Sequence, residues 1–171
     1  MSVAADPLLR PTPDRVRETL FNWLRDVIEG AECLDLFAGT GALGFEALSR
    51  GAARVVMIEQ NASFVAGLEQ QARTFGTDRA EIVCSDALNW LQANDSTFDL
   101  IFLDPPFTEN LLGMTCDLLV NRGHLRPGGR VYAESGPGVE IVNPSLHAVK
   151  QSRAGRVQYM LLEAGTEEYN E

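Results

Sequence analysis

At 171 residues, with 45% hydrophobic and 22% charged side chains, the chain suits one α/β domain around a single core. No stretch approaches the ~20 apolar residues of a membrane span, and the start Met1-Ser2-Val3-Ala4-Ala5-Asp6 lacks the basic and apolar regions of a secretory signal, so a cytoplasmic protein is expected. The net charge of −10, with Lys150 the one lysine, argues against a basic coat for nucleic acid; Cys33, Cys84 and Cys116, with only His124 and His147 beside them, give no metal-ligand cluster and read as reduced core thiols.

Taken in chain order, Thr12 and Pro13 suit the N-cap and first position of a helix whose apolar stripe is Val16, Leu20, Trp23, Leu24, Val27 and Ile28, ended by Gly30. Cys33 to Phe37 predicts a short buried strand running into Ala38-Gly39-Thr40-Gly41-Ala42-Leu43-Gly44, which opens a helix with Leu43, Ala47 and Leu48 inward. Three glycines in G-x-G-x-x-G spacing between strand and helix form a nucleoside-cofactor fingerprint. Glycine is needed where backbone approaches a ligand or takes positive φ, and both dinucleotide and S-adenosylmethionine sites make that demand. Asp35, four residues before the first glycine, would repel a pyrophosphate and suits a ligand with an amino group.

Val55 to Ile58 predicts a second strand ending in Glu59, an acid placed to accept bonds from ribose hydroxyls. A helix beginning near Asn61, with Phe64, Val65, Leu68 and Ala72 inward, should stop at Gly76. Ala80 to Cys84 predicts a third strand, followed by Asp86, which either meets an adenine amino group or caps the helix from Ala87 to Ala93.

The apolar run Leu100 to Leu103 then delivers Asp104-Pro105-Pro106-Phe107. Asp104 and the Pro105 carbonyl are two acceptors able to hold both hydrogens of an exocyclic amine, whose lone pair is otherwise shared with its ring. Consecutive prolines stiffen the turn and supply no donors, and Phe107 is an aromatic platform for a base. The bland alternative is that Pro-Pro ends a buried strand and Phe107 belongs to the core. Asp35, Glu59, Asp86 and Asp104 are nevertheless four acids at four successive strand ends, a phase that scattered surface acids would not keep.

A further helix is expected from about Glu109 to Arg122, a turn at Leu125-Arg126-Pro127-Gly128-Gly129, and a fifth strand over Arg130 to Glu134. Leu146 to Gln151 and Arg156 to Leu162 should form a hairpin across Ser152-Arg153-Ala154-Gly155, before an acidic tail.

Asp35-x-Phe37-Ala38-Gly39-x-Gly41, Glu59, Asp86, Asp104-Pro105-Pro106-Phe107 and the Leu125 to Gly129 turn together resemble class I S-adenosylmethionine-dependent methyltransferases, over roughly residues 30 to 165. More narrowly, Arg10-Pro11-Thr12-Pro13-Asp14-Arg15-Val16-Arg17 through Leu24, with Gly41 to Ala52, is similar to the RsmD family, which methylates N2 of a guanine in 16S ribosomal RNA. That resemblance implies a Rossmann-like fold: a mainly parallel seven-stranded sheet with one antiparallel strand near its edge and helices on both faces. It also implies S-adenosylmethionine across the ends of the first two strands, held by Asp35, Phe37, Gly39, Gly41, Glu59, Gln60, Asp86, Ala87 and Asp104. Asp104, Pro105, Pro106 and Phe107 would carry the chemistry.

Arg10, Thr12, Arg15 and Arg17 would either fold over cofactor or substrate or fasten the first helix. The implied partner is 16S ribosomal RNA or a small-subunit assembly particle, with no metal and no membrane, and a monomer is expected. Residues 1–29 would pack as an amino-terminal segment on a methyltransferase domain of 30–165, with 166–171 a tail. RNA-gripping proteins usually show a basic face; here Arg10, Arg15, Arg17 and Arg25 are offset by Asp6, Asp14, Glu18, Asp26 and Glu29. Methyl transfer to the N6 amino group of adenine in DNA or RNA, an NAD-linked oxidoreductase and a non-catalytic RNA-binding factor are the alternatives.

Overall fold

In the computed structural model, residues 13–106, 111–141 and 143–165 are described. Short apolar runs flanked by glycine or polar residues become parallel strands β1 (Glu32–Asp35), β2 (Arg54–Glu59), β3 (Ala80–Cys84), β4 (Phe98–Leu103) and β5 (Leu125–Ser135). The hairpin of β6 (Leu146–Ala154) and β7 (Val157–Ala164) completes a seven-stranded sheet in the order β3-β2-β1-β4-β5-β7-β6. Only β7 runs against its neighbours, as expected. The strand order reverses between β1 and β4, and the crevice outside their carboxyl ends is where such sheets bind ligands.

Helices cover both faces. On one, α1 (Asp14–Trp23), α2 (Ala42–Ser49) and α3 (Ala62–Phe75) pack Val16, Leu20, Phe21, Ala47 and Leu68 against Met57, Phe102 and Tyr132. On the other, α4 (Ala87–Ala93) and α5 (Leu111–Asn121) pack Trp90, Leu91, Cys116 and Leu119 against Ile58, Ile101 and Val131. Burial on both faces explains why β4 reads as a continuous apolar run rather than an alternating one. Among the described residues no helix is long and apolar enough to cross a membrane.

Several boundaries differ from the sequence expectation. Pro13 is the N-cap of α1, not its first helical residue, and Thr12 lies outside the described residues. The α-helix stops at Trp23; Leu24 to Ile28 continue as tighter turns, with the Val27 and Ile28 amides both bonding to the Leu24 carbonyl, so Leu24 and Ile28 stay buried, and Val27 partly so, without a regular helix. β1 ends at Asp35, two residues early, because Leu36 and Phe37 already bend toward the glycine loop. The helix expected from Glu109 begins, among the described residues, at Leu111.

Leu125 to Gly129 does not precede the fifth strand but lies inside it. Leu125 pairs with Phe98 and Arg130 with Leu100, so residues 126–129 bulge outward opposite the single residue Asp99. Arg126 fills that bulge, bonding Asp99 at 3.0 Å and Glu32 at 2.6 Å. The closing hairpin is longer than expected, since Ala154 pairs with Val157 and its turn is only Gly155 and Arg156; Gly155 takes φ +58°, which a two-residue turn favours. Cys84 is exposed rather than a core thiol, because β3 is the sheet's edge. Cys33 and Cys116 are buried, and burial pushes both thiols up to about 12.

Candidate active site at the strand ends

Four acids do sit at four adjacent strand ends. In spatial order β3, β2, β1, β4, they are Asp86, Glu59, Asp35 and Asp104. The glycine loop hangs from this row by its backbone: the Leu36 amide bonds Phe102 O at 3.3 Å, the Ala38 amide Ile58 O at 3.0 Å, and the Gly41 amide closes a turn on Ala38 O at 2.8 Å. Gly39 and Gly41 take φ of +55° and +83°, which residues with side chains seldom adopt.

Gly41 and Gly44 are also required by packing. A Cβ on Gly41 would come within 2.6 Å of the Leu68 and Phe45 side chains, and one on Gly44 within 2.5 Å of Met57 Cε. These two positions therefore set helices α2 and α3 against the sheet, and the demand at Gly41 comes from inside the protein.

Asp35 is 2% exposed, and its Oδ2 accepts the Gly44 amide at 3.1 Å. Burial pushes its carboxyl up to about 7 against the opposing pull of the Gly44 amide, with the Glu59 charge adding to the rise. Glu59 is half-buried and ties the loop down at two points, accepting from Gly39 N at 3.2 Å and from Asn61 N at 2.7 Å. Asp86 is the N-cap of α4, accepting from Asn89 N at 3.0 Å. That bond occupies one oxygen, Oδ1, and the residue is exposed. Gln60 is exposed next to Glu59, Phe37 packs partly against the core, and Ala87 is buried at the start of α4.

Asp104 stands half-buried one residue beyond β4, followed by buried Pro105 and exposed Pro106. Phe107, Arg10 and Thr12 lie outside the described residues. Arg15 is exposed on α1, and Arg17 pairs with Asp14 at 2.7 Å, an i,i+3 helix-surface contact.

Sequence reasoning missed a fifth acid in this row. Glu134, next to the carboxyl end of β5, is 4% exposed and accepts the Tyr132 hydroxyl at 2.5 Å. Burial pushes the Tyr132 phenol far up, and the negative charges of Glu134 and then Asp104 push it further. The strand-end phase that singled out the other four acids applies equally to Glu134 and would have found it.

The charge pattern selects a ligand class. A loop whose Gly39 amide is held by Glu59, lined by Asp35 and flanked by Asp86 and Asp104, meets a pyrophosphate with like charge. A cationic nucleoside without phosphates meets it with opposite charge, and the residues present fit S-adenosylmethionine in this respect. Among the described residues no group of three or more His, Cys, Asp or Glu could hold a metal ion.

The family model "Conserved hypothetical protein 95" matches residues 1–163. Ribosomal RNA small subunit methyltransferase D of Escherichia coli is 43% identical over 165 residues, covering 94% of this chain and 82% of that protein. The chain belongs to this family. The corresponding RsmD-type methyltransferase of Haemophilus influenzae is 40% identical over 158 residues, covering 90% and 82%. A solved structure of the Escherichia coli protein yhhF superposes with a TM-score of 0.86 at 40% identity, over 92% of this chain and 90% of that one. The structure of TrmN from Thermus thermophilus, at TM-score 0.73 and 22% identity, shares the fold over 88% of this chain and 48% of its own.

Proposed function

We propose that this chain transfers a methyl group from S-adenosylmethionine to the exocyclic N2 of a guanine in small-subunit ribosomal RNA. The observation that carries the reading is the unbroken row of acids along the carboxyl ends of β3, β2, β1 and β4, ending at Asp104-Pro105-Pro106 beside the point where the strand order reverses. The family relatives' names support the ribosomal RNA substrate.

When bound, S-adenosylmethionine supplies an electrophilic methyl group on a positively charged sulfur. The chain's own residues bind and orient. Asp35 and the Gly39–Gly41 loop receive the methionine end, Glu59 the ribose, and Gln60, Asp86 and Ala87 the adenine, with Phe37 walling the pocket. Asp104 and the Pro105 carbonyl accept the two hydrogens of N2 and turn its lone pair out of conjugation. Pro106 keeps the turn rigid and Phe107 stacks on the base, which must be unstacked from its RNA neighbours to enter. Catalysis rests on orientation and on the Asp104 carboxylate facing the positive charge that develops on N2 as the methyl–sulfur bond breaks and the methyl–N2 bond forms; a neutral thioether is the leaving group, and the surplus N2 proton passes to Asp104 or to water. Arg10, Thr12, Arg15 and Arg17, ahead of the first strand in sequence, are the candidates for contact with cofactor or RNA, and the Arg17–Asp14 pair favours for Arg17 the alternative role of fastening the first helix. The methyltransferase unit is residues 30–165, preceded by a segment of residues 1–29 whose described part, from Pro13, packs upon it, and it acts as a monomer in the cytoplasm.

Asp104→Ala should leave cofactor affinity near normal and lower single-turnover methyl transfer by about 10²–10³-fold, the usual cost of deleting one preorganised contact to a transition state. Asp104→Asn separates the two contributions: intermediate activity assigns most of the effect to orientation, and activity as low as alanine's assigns it to charge. A wild-type rate in Asp104→Ala would remove the residue from the chemistry.

A further inference from the structure

We infer that the β6–β7 hairpin is the surface that holds the RNA backbone flanking the target base, through Lys150, Arg153 and Arg156. This rests on the proposed RNA substrate and adds to it where the strand lies.

The chain carries 24 Asp and Glu in 171 residues, yet residues 141–162 contain none, the longest acid-free run in the sequence. That run covers β6, the turn and β7 as far as Leu162; Glu163, opposite His147 at the end of the hairpin away from the turn, is the hairpin's one acid. Every residue from His147 to Arg153 is exposed, and so is Arg156 in the turn. Among the described residues, the six salt-bridge contacts join five other arginines to acids; Lys150, Arg153 and Arg156 take part in none of them. Three cations without an ion pair among the described residues, around the acid-free turn end of a hairpin in a strongly acidic protein, are complementary to a polyanion.

Strand register places this surface beside the site. Leu103 pairs with Ala133, Ala133 with Met160 and Met160 with Gln151, so Asp104, one residue further on, is level with Glu134, Tyr159 and Ser152. Arg153 is one residue beyond that row, and the Gly155–Arg156 turn projects past it at the same end of the sheet. Three strand spacings separate β4 from β6, about 14 Å at ~4.8 Å each, a span that a few nucleotides of single-stranded RNA cover. One extra residue, Val149, bulges between the paired positions Ala148 and Lys150; such bulges re-aim side chains near sheet edges. The ordinary role of edge cations is to block pairing with another sheet, and that role requires neither an acid-free turn nor a place level with Asp104.

The test is the triple variant Lys150→Gln, Arg153→Gln, Arg156→Gln, all surface changes. Methyl transfer from labelled S-adenosylmethionine to small-subunit ribosomal particles and to their naked RNA is measured over a range of salt. The expected result is a KM for RNA raised roughly 10–100-fold near 0.1 M salt, and a log–log salt slope shallower by about 2, as loss of three single-strand phosphate contacts predicts. Cofactor affinity should not change. An equal KM and equal salt slope overturn the inference, also where the variant newly self-associates, since the cations then only guard the edge. If wild-type protein methylates neither RNA nor particle, the proposed function fails and the inference falls with it.

Discussion

Asp35→Asn should make the ligand-free protein more stable and its cofactor binding weaker. Asp35 is 2% exposed, and burial raises its carboxyl from 3.8 to about 7. Between those values the folded state binds a proton that the unfolded chain has released, so stability falls as pH rises through that window and the penalty is complete above about pH 7. Three pKa units at 1.36 kcal/mol each make that penalty about 4 kcal/mol.

Asparagine keeps an oxygen for the Gly44 amide and has nothing to titrate, though its amide hydrogens need partners, at roughly 1–2 kcal/mol. At pH 8 the variant should therefore be more stable than wild type by about 2–3 kcal/mol, and the advantage should shrink by about the same amount at pH 5. Urea unfolding followed by Trp23 and Trp90 fluorescence at both pH values measures this. Calorimetry at pH 8 should show S-adenosylmethionine affinity reduced about 10–100-fold, the value of a hydrogen bond to a charged group. A variant less stable than wild type at pH 8, with the same pH dependence, would mean that burial does not raise the Asp35 carboxyl in the folded protein, and the stability penalty reasoned from it would be refuted.

Glu59→Ala removes the acceptor for both Gly39 N and Asn61 N, so calorimetric cofactor affinity should fall by about 10–100-fold; unchanged affinity would place the ribose elsewhere. Tyr132→Phe leaves the buried Glu134 carboxylate without its hydroxyl donor and should lower urea stability by about 1–3 kcal/mol, whereas no loss would mean that water replaces the hydroxyl. Of the three thiols, Cys84 alone should react with a thiol reagent in the native protein, and Cys33 and Cys116 only in denaturant; a buried thiol that reacts as fast would show that the sheet opens.

What was legible in the sequence was mostly local. Asn61 and Gly76 bound α3 as expected because a side-chain acceptor and a positive-φ glycine act within one turn of helix. The four strand-end acids were legible because each lies in or within two residues of a short apolar run. What failed depends on distant partners. The outward bulge of residues 126–129 exists only because Phe98 and Leu100 hold the pairing on either side and Arg126 meets Glu32 and Asp99, both far away in sequence. Cys84 sits in an apolar context like that of Cys33, and only strand order makes one an edge residue and the other core. The packing demand at Gly41, where a Cβ would meet Leu68 and Phe45, was equally illegible, because it depends on α3, a helix well further along the chain. Tyr132 and Glu134 are two residues apart on a strand, a spacing that says nothing until the face they share is known to be buried.

The central claim is met most directly by identifying the product. Small-subunit ribosomal RNA, free or in assembly particles and lacking its own methylation, would be incubated with the purified protein and labelled S-adenosylmethionine, then digested to nucleosides and separated. The account predicts label in N2-methylguanosine, lost in Asp104→Ala. Label in N6-methyladenosine would contradict the guanine assignment while keeping the transfer chemistry, and no label in any nucleoside would contradict the function.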